Sequence, residues 1–470
     1  MAPDNMELLD YLYGASLECG IGHVDTDTTL EEILMKTIYV NATFFTMDKE
    51  NQIIENGMMI VQDHTISYIG QHDEQQLADA DHVVNLGGKW IMPGLVNAHS
   101  HIVMTLLRGI GDDMLLKPWL ETKIWPIESQ FTTEIASVSS QLGIMEMMKS
   151  GTTTFSDMFN PNGIDAGAVM ETIGETGMRG AFSYTIFSLG TEKDQKANLM
   201  GAEQFSKNYK AFADGRLTTM VAPHSPYACT PEAIMESARI AKENDLMVHI
   251  HVSETDFEIL DIEKRYGSRP VEHLRRLGLF DQPTVMAHGV VLNDEERAIL
   301  KQHDVRVAHN PISNLKLGSG IADVVSLLDA GIKVGVATDG VASNNNFDMF
   351  EEMRTAALLQ KGMYKDATKF PAQTALAMAT RMGAEAIGMG HTGSLEAGKK
   401  ADFITIYPYN KEHLQPLSEA YSHLLYAARG NDVCDVYIDG KAVVKDGRCL
   451  TIDEEKVIAE TNRLQGTLSR

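Results

Sequence analysis

Eight short apolar runs, each followed by a stretch with helical periodicity, recur through the middle of this 470-residue chain. The runs lie at 89–101, 152–158, 178–185, 217–224, 246–251, 284–288, 305–310 and 332–339. Strands that alternate with helices at this spacing pair in parallel. Eight such units in about 300 residues suit a closed (β/α)8 barrel, the TIM barrel. An open doubly wound sheet is the alternative, but no Gly-rich phosphate loop follows the first strand.

The regions on either side of the eight units have a different sequence pattern. Short β-rich runs broken by Gly, Asp and Asn occupy 36–92 and return at 393–450, where Asp439-Gly440 between two apolar runs predicts a hairpin. We expect both regions to meet in one small composite β-sandwich domain. The predicted organisation is a helical or loosely ordered N-terminal extension at 1–35, a first β-sandwich segment at 36–92, the barrel at 93–392, a second β-sandwich segment at 393–450 and a C-terminal helix at 451–470.

Charge and composition exclude several classes of function. Forty Lys and Arg face 65 Asp and Glu, a net charge of −25, which disfavours nucleic acid and anionic membrane partners. The four cysteines form no C-x-x-C pair, and there is no apolar run of about 18 residues and no signal-peptide pattern at the start. We therefore expect a cytoplasmic protein with a small neutral or zwitterionic substrate. Barrels of this size often pair, so a homo-oligomer is a further expectation.

Titratable side chains stand at the ends of the predicted barrel strands. In a parallel barrel all carboxyl ends of the strands meet at one face, where active sites are built. We therefore expect these side chains to lie together. They are His99, His101, Asp157, His224, His251, His288, His309 and Asp339.

Four of these residues form a candidate metal site. His99 and His101 are two apart on a strand and face one side, although a His-x-His pair is as often two buried core histidines. His251 is the third candidate ligand, with His249 as the alternative lumen-facing residue, and Asp339 is the fourth, unless it caps the next helix. Three His and one Asp leave a position open for water, as in catalytic sites.

The same residues indicate how many metal ions to expect and which ions are candidates. Hydrolases of this architecture with two metal ions usually need a bridging ligand, often a modified lysine, at the end of the fourth strand. That strand ends here in His224, so we expect one divalent ion per subunit. Zn²⁺ is the first candidate, with Fe²⁺ or Mn²⁺ as alternatives.

Three further residues are candidates for catalysis or support. Glu254 lies just beyond a strand, where it would reach a substrate and not the metal, although a helix-capping carboxylate looks the same in isolation. His288 would stand over the attacking water, or else be a buried core histidine. His309 begins a polar, Gly-rich loop, and we expect it to orient the residues of the site without contacting the metal ion or the substrate itself.

The long connection at 102–128 supplies candidate substrate contacts. Such connections are often lids or pocket walls. Trp119 and Trp125 would cover a planar ligand, or else pack within ordinary helices. Glu128 would bind vicinal hydroxyls, or else lie at the surface. The sequence leaves both choices open.

The motifs of the chain resemble the amidohydrolase superfamily. They are GLVNAHSHIVMTLLRG, APHSPYACTPE, HVSETDFE, MAHGVVLN, AHNPISNLKLGSGIADV and VATDGVASNNNFDMFEEMRTAALLQK. Within it they are most similar to the branch of 5′-methylthioadenosine/S-adenosylhomocysteine deaminases and related chlorohydrolases, over about residues 36 to 450. The resemblance implies a barrel with a composite β-sandwich, as expected above.

The resemblance also implies roles for the candidate residues. It implies metal ligation by His99, His101, His251 and Asp339, proton shuttling by Glu254, activation of the water by His288 with Asp339, ribose binding by Glu128, and substrate contact by His224.

The implied reaction is hydrolytic deamination of an adenine nucleoside, with ammonia and an inosine-type product released. The candidate substrates are 5′-methylthioadenosine, S-adenosylhomocysteine and adenosine. Relatives that accept S-adenosylhomocysteine often carry arginines after the third strand, whereas residues 180–215 contain none. How a carboxylate tail would be bound is therefore open.

Two alternatives remain. The same site would serve hydrolysis of triazines or other aminated or chlorinated N-heterocycles, although Glu254 favours deamination. A non-catalytic scaffold on a decayed barrel is disfavoured, because the chain keeps the whole set of candidate ligands.

Overall fold

A computed structural model describes residues 35–77 and 80–469 of the chain. The predicted N-terminal extension, apart from residue 35, lies outside the described residues. No helix among the described residues is long and apolar enough to cross a membrane.

The described residues form eighteen strands and seventeen α-helices. The strands are β1 (Lys36–Phe45), β2 (Ile53–Gln62), β3 (Thr65–Gln71), β4 (His82–Asn85), β5 (Trp90–Pro93), β6 (Leu95–Ser100), β7 (Thr152–Phe159), β8 (Arg179–Ile186), β9 (Leu217–Thr218), β10 (Ala222–Pro223), β11 (Val248–Val252), β12 (Thr284–His288), β13 (Arg306–His309), β14 (Val334–Val336), β15 (Phe403–Ile406), β16 (Val433–Ile438), β17 (Lys441–Lys445) and β18 (Arg448–Cys449). The helices are α1 (Leu116–Trp119), α2 (Trp125–Glu128), α3 (Thr133–Lys149), α4 (Ala166–Glu175), α5 (Glu192–Tyr209), α6 (Pro231–Asn244), α7 (Asp256–Tyr266), α8 (Pro270–Arg276), α9 (Asp294–Gln302), α10 (Pro311–Lys316), α11 (Val324–Asp329), α12 (Val341–Asn344), α13 (Met349–Tyr364), α14 (Ala372–Met378), α15 (Arg381–Ala386), α16 (Ala420–Ser422) and α17 (Glu454–Gln465). A π-helical stretch, Leu120–Ile124, joins α1 to α2.

Strands β6 to β14 form the predicted barrel. They pair in parallel as two sheets, with the order β10-β8-β7-β6 in one, where β9 also pairs with β8, and β11-β12-β13-β14 in the other. Single parallel bridges between Val221 and Val248 and between Ser100 and Asp339 join the two sheets on both sides. The barrel is therefore closed, and the (β/α)8 prediction is confirmed. The fourth barrel strand is split into β9 and β10.

Small apolar side chains fill the lumen of the barrel. Val96 and Ala98, two apart on β6, pack with Ala181 of β8, Val285 of β12 and Ala308 of β13 in one fully buried cluster. The register of β6 against β7 shifts between Asn97 and Ser100, so the regular alternation set by Val96 and Ala98 does not continue to His99. Because the lower lumen is a packed core, substrate can enter only at the carboxyl ends of the strands.

Both ends of the chain build the separate β-domain, as predicted. Its nine strands are hydrogen-bonded in one continuous sheet, with the order β18-β17-β16-β15-β5-β1-β2-β3 and β4 on β1. The two chain ends meet where β5 pairs antiparallel with β15. The predicted hairpin is present, since Asp439 and Gly440 connect β16 to β17 with φ of 52° and 72°. The exact limits of the predicted segments stay predictions.

A buried ion pair ties the barrel to the β-domain. The guanidinium of Arg179, at the start of β8, donates to Asp402 and Asp439, and its Nε lies 2.6 Å from Asp402 Oδ2. Arg179 is only 1% exposed. A charge buried this deeply persists only when it is paired and hydrogen-bonded.

Candidate metal centre and active site

The carboxyl ends of β6 and β14 bring the first candidate ligands together. His99 lies at the end of β6 and His101 directly follows that strand. Strand β14 ends at Val336, earlier than predicted, and the chain then turns so that Asp339 has a φ of 61°. The backbone N–H of Asp339 donates to His99 O at 3.0 Å, which fixes the aspartate beside the His-x-His pair.

The four predicted ligands converge on one point. Asp339 Oδ1 lies 3.3 Å from His99 Nε2 and 3.2 Å from His101 Nε2, and His251 Nε2 lies 3.4 Å from His101 Nε2. The ligand atoms of the three histidines all lie within 4.8 Å of one another. His99 Nε2 is buried without a hydrogen-bond partner. Imidazole nitrogens that face each other and a carboxylate in this way suit a divalent metal ion.

The second nitrogen of each imidazole is held by the barrel. His101 Nδ1 contacts Met158 O at 2.6 Å, and His251 Nδ1 contacts His224 O at 2.7 Å. A carbonyl accepts only from an N–H, so Nδ1 carries the proton and Nε2 presents its lone pair to the centre. Metal-binding histidines are typically oriented in this manner.

His249 and His251, the two alternatives that the sequence left, make different contacts. His251 Nε2 lies 3.4 Å from His101 Nε2, whereas His249 Nε2 contacts His99 Nδ1 at 2.9 Å. His249 Nδ1 in turn lies 3.2 Å from Ser156 Oγ. The sequence missed this supporting role, because the contact joins residues 150 positions apart.

Asp339 is charged in this environment. Burial alone would raise its pKa, but the adjacent His101 and His99 imidazoles hold the pKa of Asp339 well below its usual range. Its second oxygen accepts from Ser313 Oγ at 2.6 Å and from Ser343 Oγ at 2.9 Å. The helix-capping alternative for Asp339 is therefore not what the structure shows, since no side-chain cap bond precedes α12.

Glu254 and His288 lie side by side, and a ring nitrogen of His288 lies within 4.8 Å of ligand atoms of His99 and Asp339. Glu254 Oε2 is 3.7 Å from His288 Nε2, and both residues are buried. Burial raises the pKa of Glu254. His288 Nδ1 lies 2.8 Å from Asn314 Oδ1, which orients the ring. His288 has a φ of 77°, a strained conformation for a non-glycine residue that is typical of functional sites.

A second buried carboxylate holds the turn that carries Glu254. Glu258 accepts the backbone N–H of Ser253 at 2.8 Å and that of Glu254 at 3.0 Å. Ser253 has a φ of 54°. Thr255 caps α7 by accepting from the N–H of Glu258, so the helix start fixes Glu258 in turn. Burial raises the pKa of Glu258 to about 8.

The ligand group forms the floor of an open pocket. Trp119 and Trp125 line its wall, and the indole of Trp119 donates to Ile110 O at 3.3 Å. Trp119 therefore both faces the pocket and packs in the connection at 102–128. Glu128 also lines the pocket, is 7% exposed and accepts from Asn160 Nδ2 at 3.0 Å. The surface alternative for Glu128 is wrong.

Two further predicted residues, His224 and His309, differ in their surroundings. His224 lines the pocket, its ring lies 4.8 Å from that of Phe187, and its Nδ1 is 3.0 Å from Ser225 Oγ. His309 is buried, and neither of its ring nitrogens has a hydrogen-bond partner. No side-chain hydrogen bond therefore accompanies the support predicted for His309, and Asn314 of helix α10 contacts His288 instead.

Comparisons with known proteins agree with this geometry. A model described as the amidohydrolase family matches residues 90–443. A 5-methylthioadenosine/S-adenosylhomocysteine deaminase of Bacillus cereus is 61% identical over 436 residues, 93% of this chain and 100% of that protein. An adenosine deaminase structure from Xanthomonas campestris with bound zinc has a TM-score of 0.85 at 31% identity, over 92% of this chain and 98% of that one. An atrazine chlorohydrolase of Arthrobacter aurescens with zinc shares the fold, with a TM-score of 0.82 at 22% identity over 91% of this chain and 100% of that one.

Proposed function

This chain belongs to the amidohydrolase family, and on that premise we propose that it is a hydrolytic deaminase of adenine nucleosides. The candidate substrates are 5′-methylthioadenosine, S-adenosylhomocysteine and adenosine. Water replaces the exocyclic amino group, so that a C–O bond forms, the C–N bond breaks, and ammonia leaves with an inosine-type product.

One observation carries the proposal most directly. Glu254 and His288 lie 3.7 Å apart, and a ring nitrogen of His288 lies within 4.8 Å of ligand atoms of His99 and Asp339. Deamination needs a proton donor for the ring beside an activated water. A carboxyl group next to an imidazole above a metal-binding floor supplies that combination.

We propose that His99, His101, His251 and Asp339 hold the metal ion, with Zn²⁺ as the first candidate and Fe²⁺ or Mn²⁺ as alternatives. The ion would supply Lewis acidity that lowers the pKa of water toward neutrality. The ion in the Xanthomonas structure is zinc. One ion per subunit is consistent with His224, rather than a lysine, at the end of the fourth strand.

The protein's own groups then move the protons. Because burial raises its pKa, Glu254 is able to hold a proton and donate it to the ring nitrogen beside the amino-bearing carbon, which makes that carbon electrophilic. His288, oriented by Asn314, directs the attacking water through Nε2. Asp339, kept charged by its histidine neighbours, accepts a proton from that water, and a proton is returned to the departing ammonia.

The pocket walls suit a nucleoside. Trp119 and Trp125 offer apolar surface to a planar base, and His224 lies where it would contact the substrate. We propose that Glu128 accepts from the ribose hydroxyls, because its carboxylate lines the pocket and Asn160 holds it in place. These four residues would orient the base over Glu254.

The test is turnover by the Zn²⁺-loaded protein. Each of the three nucleosides is incubated separately, and ammonia release is followed together with the loss of adenine absorbance. We expect turnover of at least one, with a loss of activity in Glu254→Gln. No turnover of any of the three by protein that contains metal would refute the substrate assignment and direct the search to guanine, other aminopurines and triazines.

The triazine alternative is not favoured. The relatives named nucleoside deaminases share 61% identity with this chain, whereas the atrazine chlorohydrolase shares 22%. The cytoplasmic location, the self-association and the lack of nucleic acid or membrane partners stay predictions.

A further inference from the structure

A second cavity adjoins the pocket, and we propose, on the basis of the proposed function, that it binds a zwitterionic amino-acid substituent on the 5′ side of the nucleoside. Methylthioadenosine ends in a methyl group at this position. S-adenosylhomocysteine carries an α-amino acid instead, with one carboxylate and one ammonium group. A protein that accepts both needs a place for these charges outside the apolar part of its pocket.

The described lining of the inner pocket offers no Lys or Arg partner for a carboxylate. Its acidic side chains are the three carboxyl residues Glu128, Glu254 and Asp339. A carboxylate without a cationic or hydrogen-bonding partner is strongly disfavoured in such surroundings. The absence of arginine from residues 180–215 fits this charge distribution.

The outer cavity has the complementary composition. It shares Leu116, Leu120, Trp125 and Tyr227 with the inner pocket, so the two cavities adjoin along that wall. Its own charged residues are Lys117, Glu121 and Arg265.

The helical segment at 116–121 lies between the inner pocket and the outer cavity. Leu116 and Leu120 are four residues apart and line both cavities, whereas Lys117 and Glu121 follow each of them by one residue and line only the outer cavity. Lys117 Nζ lies 3.9 Å from Glu121 Oε1. This spacing presents one cation and one anion on the same helix face. A bound α-amino acid would meet an opposite charge for each of its own.

The two cations are held at the cavity from different sides. Lys117 Nζ lies 4.6 Å from the centre of the Phe257 ring. Arg265 donates to the backbone oxygen of Tyr227 at 3.3 Å, and it also pairs with Asp261. Because Asp261 already neutralises Arg265 to some extent, Lys117 is the stronger candidate for the carboxylate. The chain as a whole has a net charge of −25, so an anionic group would be attracted only where cations such as Lys117 and Arg265 lie together.

The experiment compares two substrates in the same set of variants. Kinetic constants for S-adenosylhomocysteine and methylthioadenosine are measured with Lys117→Gln, Glu121→Gln and Arg265→Gln. The matched control is Lys196→Gln, which removes a lysine from a surface pair with Glu192 at 3.0 Å and lines neither cavity. Binding of both nucleosides to Glu254→Gln, with and without Lys117→Gln, gives a readout that does not depend on turnover.

For Lys117→Gln we expect kcat/KM for S-adenosylhomocysteine to fall about tenfold, mainly through KM, because a partly exposed charge-assisted contact is lost. Methylthioadenosine kinetics should stay within about twofold, since its methyl group makes no such contact. Glu121→Gln and Arg265→Gln should act on the same substrate alone.

Equal effects on both substrates, or unchanged S-adenosylhomocysteine kinetics in all three variants, would overturn the outer cavity as the binding site. Turnover of methylthioadenosine with no turnover and no binding of S-adenosylhomocysteine in the unmodified protein would also overturn it, while leaving the proposed deaminase function intact. Failure of both substrates would instead refute the proposed function.

Discussion

Replacing Glu258 should test whether catalysis depends on the strained turn that carries Glu254. Glu258 is 1% exposed and accepts two consecutive backbone N–H groups, from Ser253 at 2.8 Å and from Glu254 at 3.0 Å. Ser253 has a φ of 54°, so the turn needs these two bonds to keep its conformation. The carboxylate of Glu254 would shift relative to His288 without them.

The expected magnitude follows from the bonds that are lost. In Glu258→Ala both N–H groups lose their acceptor in a buried position, and at about 1–3 kcal/mol for each, the free energy of unfolding should fall by about 2–6 kcal/mol. In Glu258→Gln one carbonyl acceptor remains, so the loss should be about half of that. A misplacement of about 1 Å in a catalytic group lowers turnover by about 100-fold, which we expect for kcat in the alanine variant.

The assay measures ammonia release, metal content and chemical denaturation on the same preparations. Glu454→Gln is the matched control, because Glu454 also accepts a backbone N–H, from Cys449 at 2.7 Å, at the start of a helix that lies outside the barrel. The control should lose stability while kcat is retained. If the Glu258 variants bind metal and keep the kcat of the unmodified protein, then Glu258 does not position Glu254.

Glu258 should also make stability depend on pH. Its pKa is raised by burial from 4.5 to about 8, so the folded protein holds this proton to higher pH than the unfolded chain does. The contribution to stability is therefore fully present below about pH 4.5 and is lost as the pH rises through about 8. Denaturation curves between these values should show a decline that is weaker in Glu258→Gln.

Three further perturbations have direct readouts. Glu254→Gln should lower kcat about 100- to 10,000-fold while the variant still binds substrate, measured by ammonia release and calorimetry, and an unchanged kcat would remove Glu254 as the proton donor. His249→Ala should weaken metal binding about 10- to 100-fold, because His99 Nδ1 loses its contact with His249 Nε2 at 2.9 Å. Competition with a chelator measures the metal affinity, and an unchanged affinity would show that His249 does not orient His99. Arg179→Ala should lower the free energy of unfolding by about 3–5 kcal/mol, because Asp402 would stay buried without its partner, and a loss below about 1 kcal/mol would show that the pair is not needed.

The sequence alone determined the barrel and the level at which its site lies. Hydrophobic periodicity is a local property, so the eight apolar runs predicted the strands, and parallel pairing placed His99, His101, His251 and Asp339 at one face. The period of two expected of a strand predicted that His99 and His101 turn to the same side, although β6 ends at Ser100 and its register shifts between Asn97 and Ser100. The hairpin at Asp439-Gly440 followed from turn chemistry in the same local way.

Tertiary structure decided which of the remaining side chains reach the site. His249 and His251 are two apart on β11 and so share one face of the strand. In the folded chain His251 joins the group with His99 and His101, whereas His249 contacts the other ring nitrogen of His99. The burial of Glu128 depends on how the connection at 102–128 folds back onto Asn160.

The bonds from Glu258 to the turn at Ser253, and those from Ser313 and Ser343 to Asp339, also arose only in the folded chain. Periodicity and composition indicate on which face of its own helix or strand a residue lies. They carry no information about which distant residue meets it there, because that depends on how the strands close into a barrel and where each loop then packs.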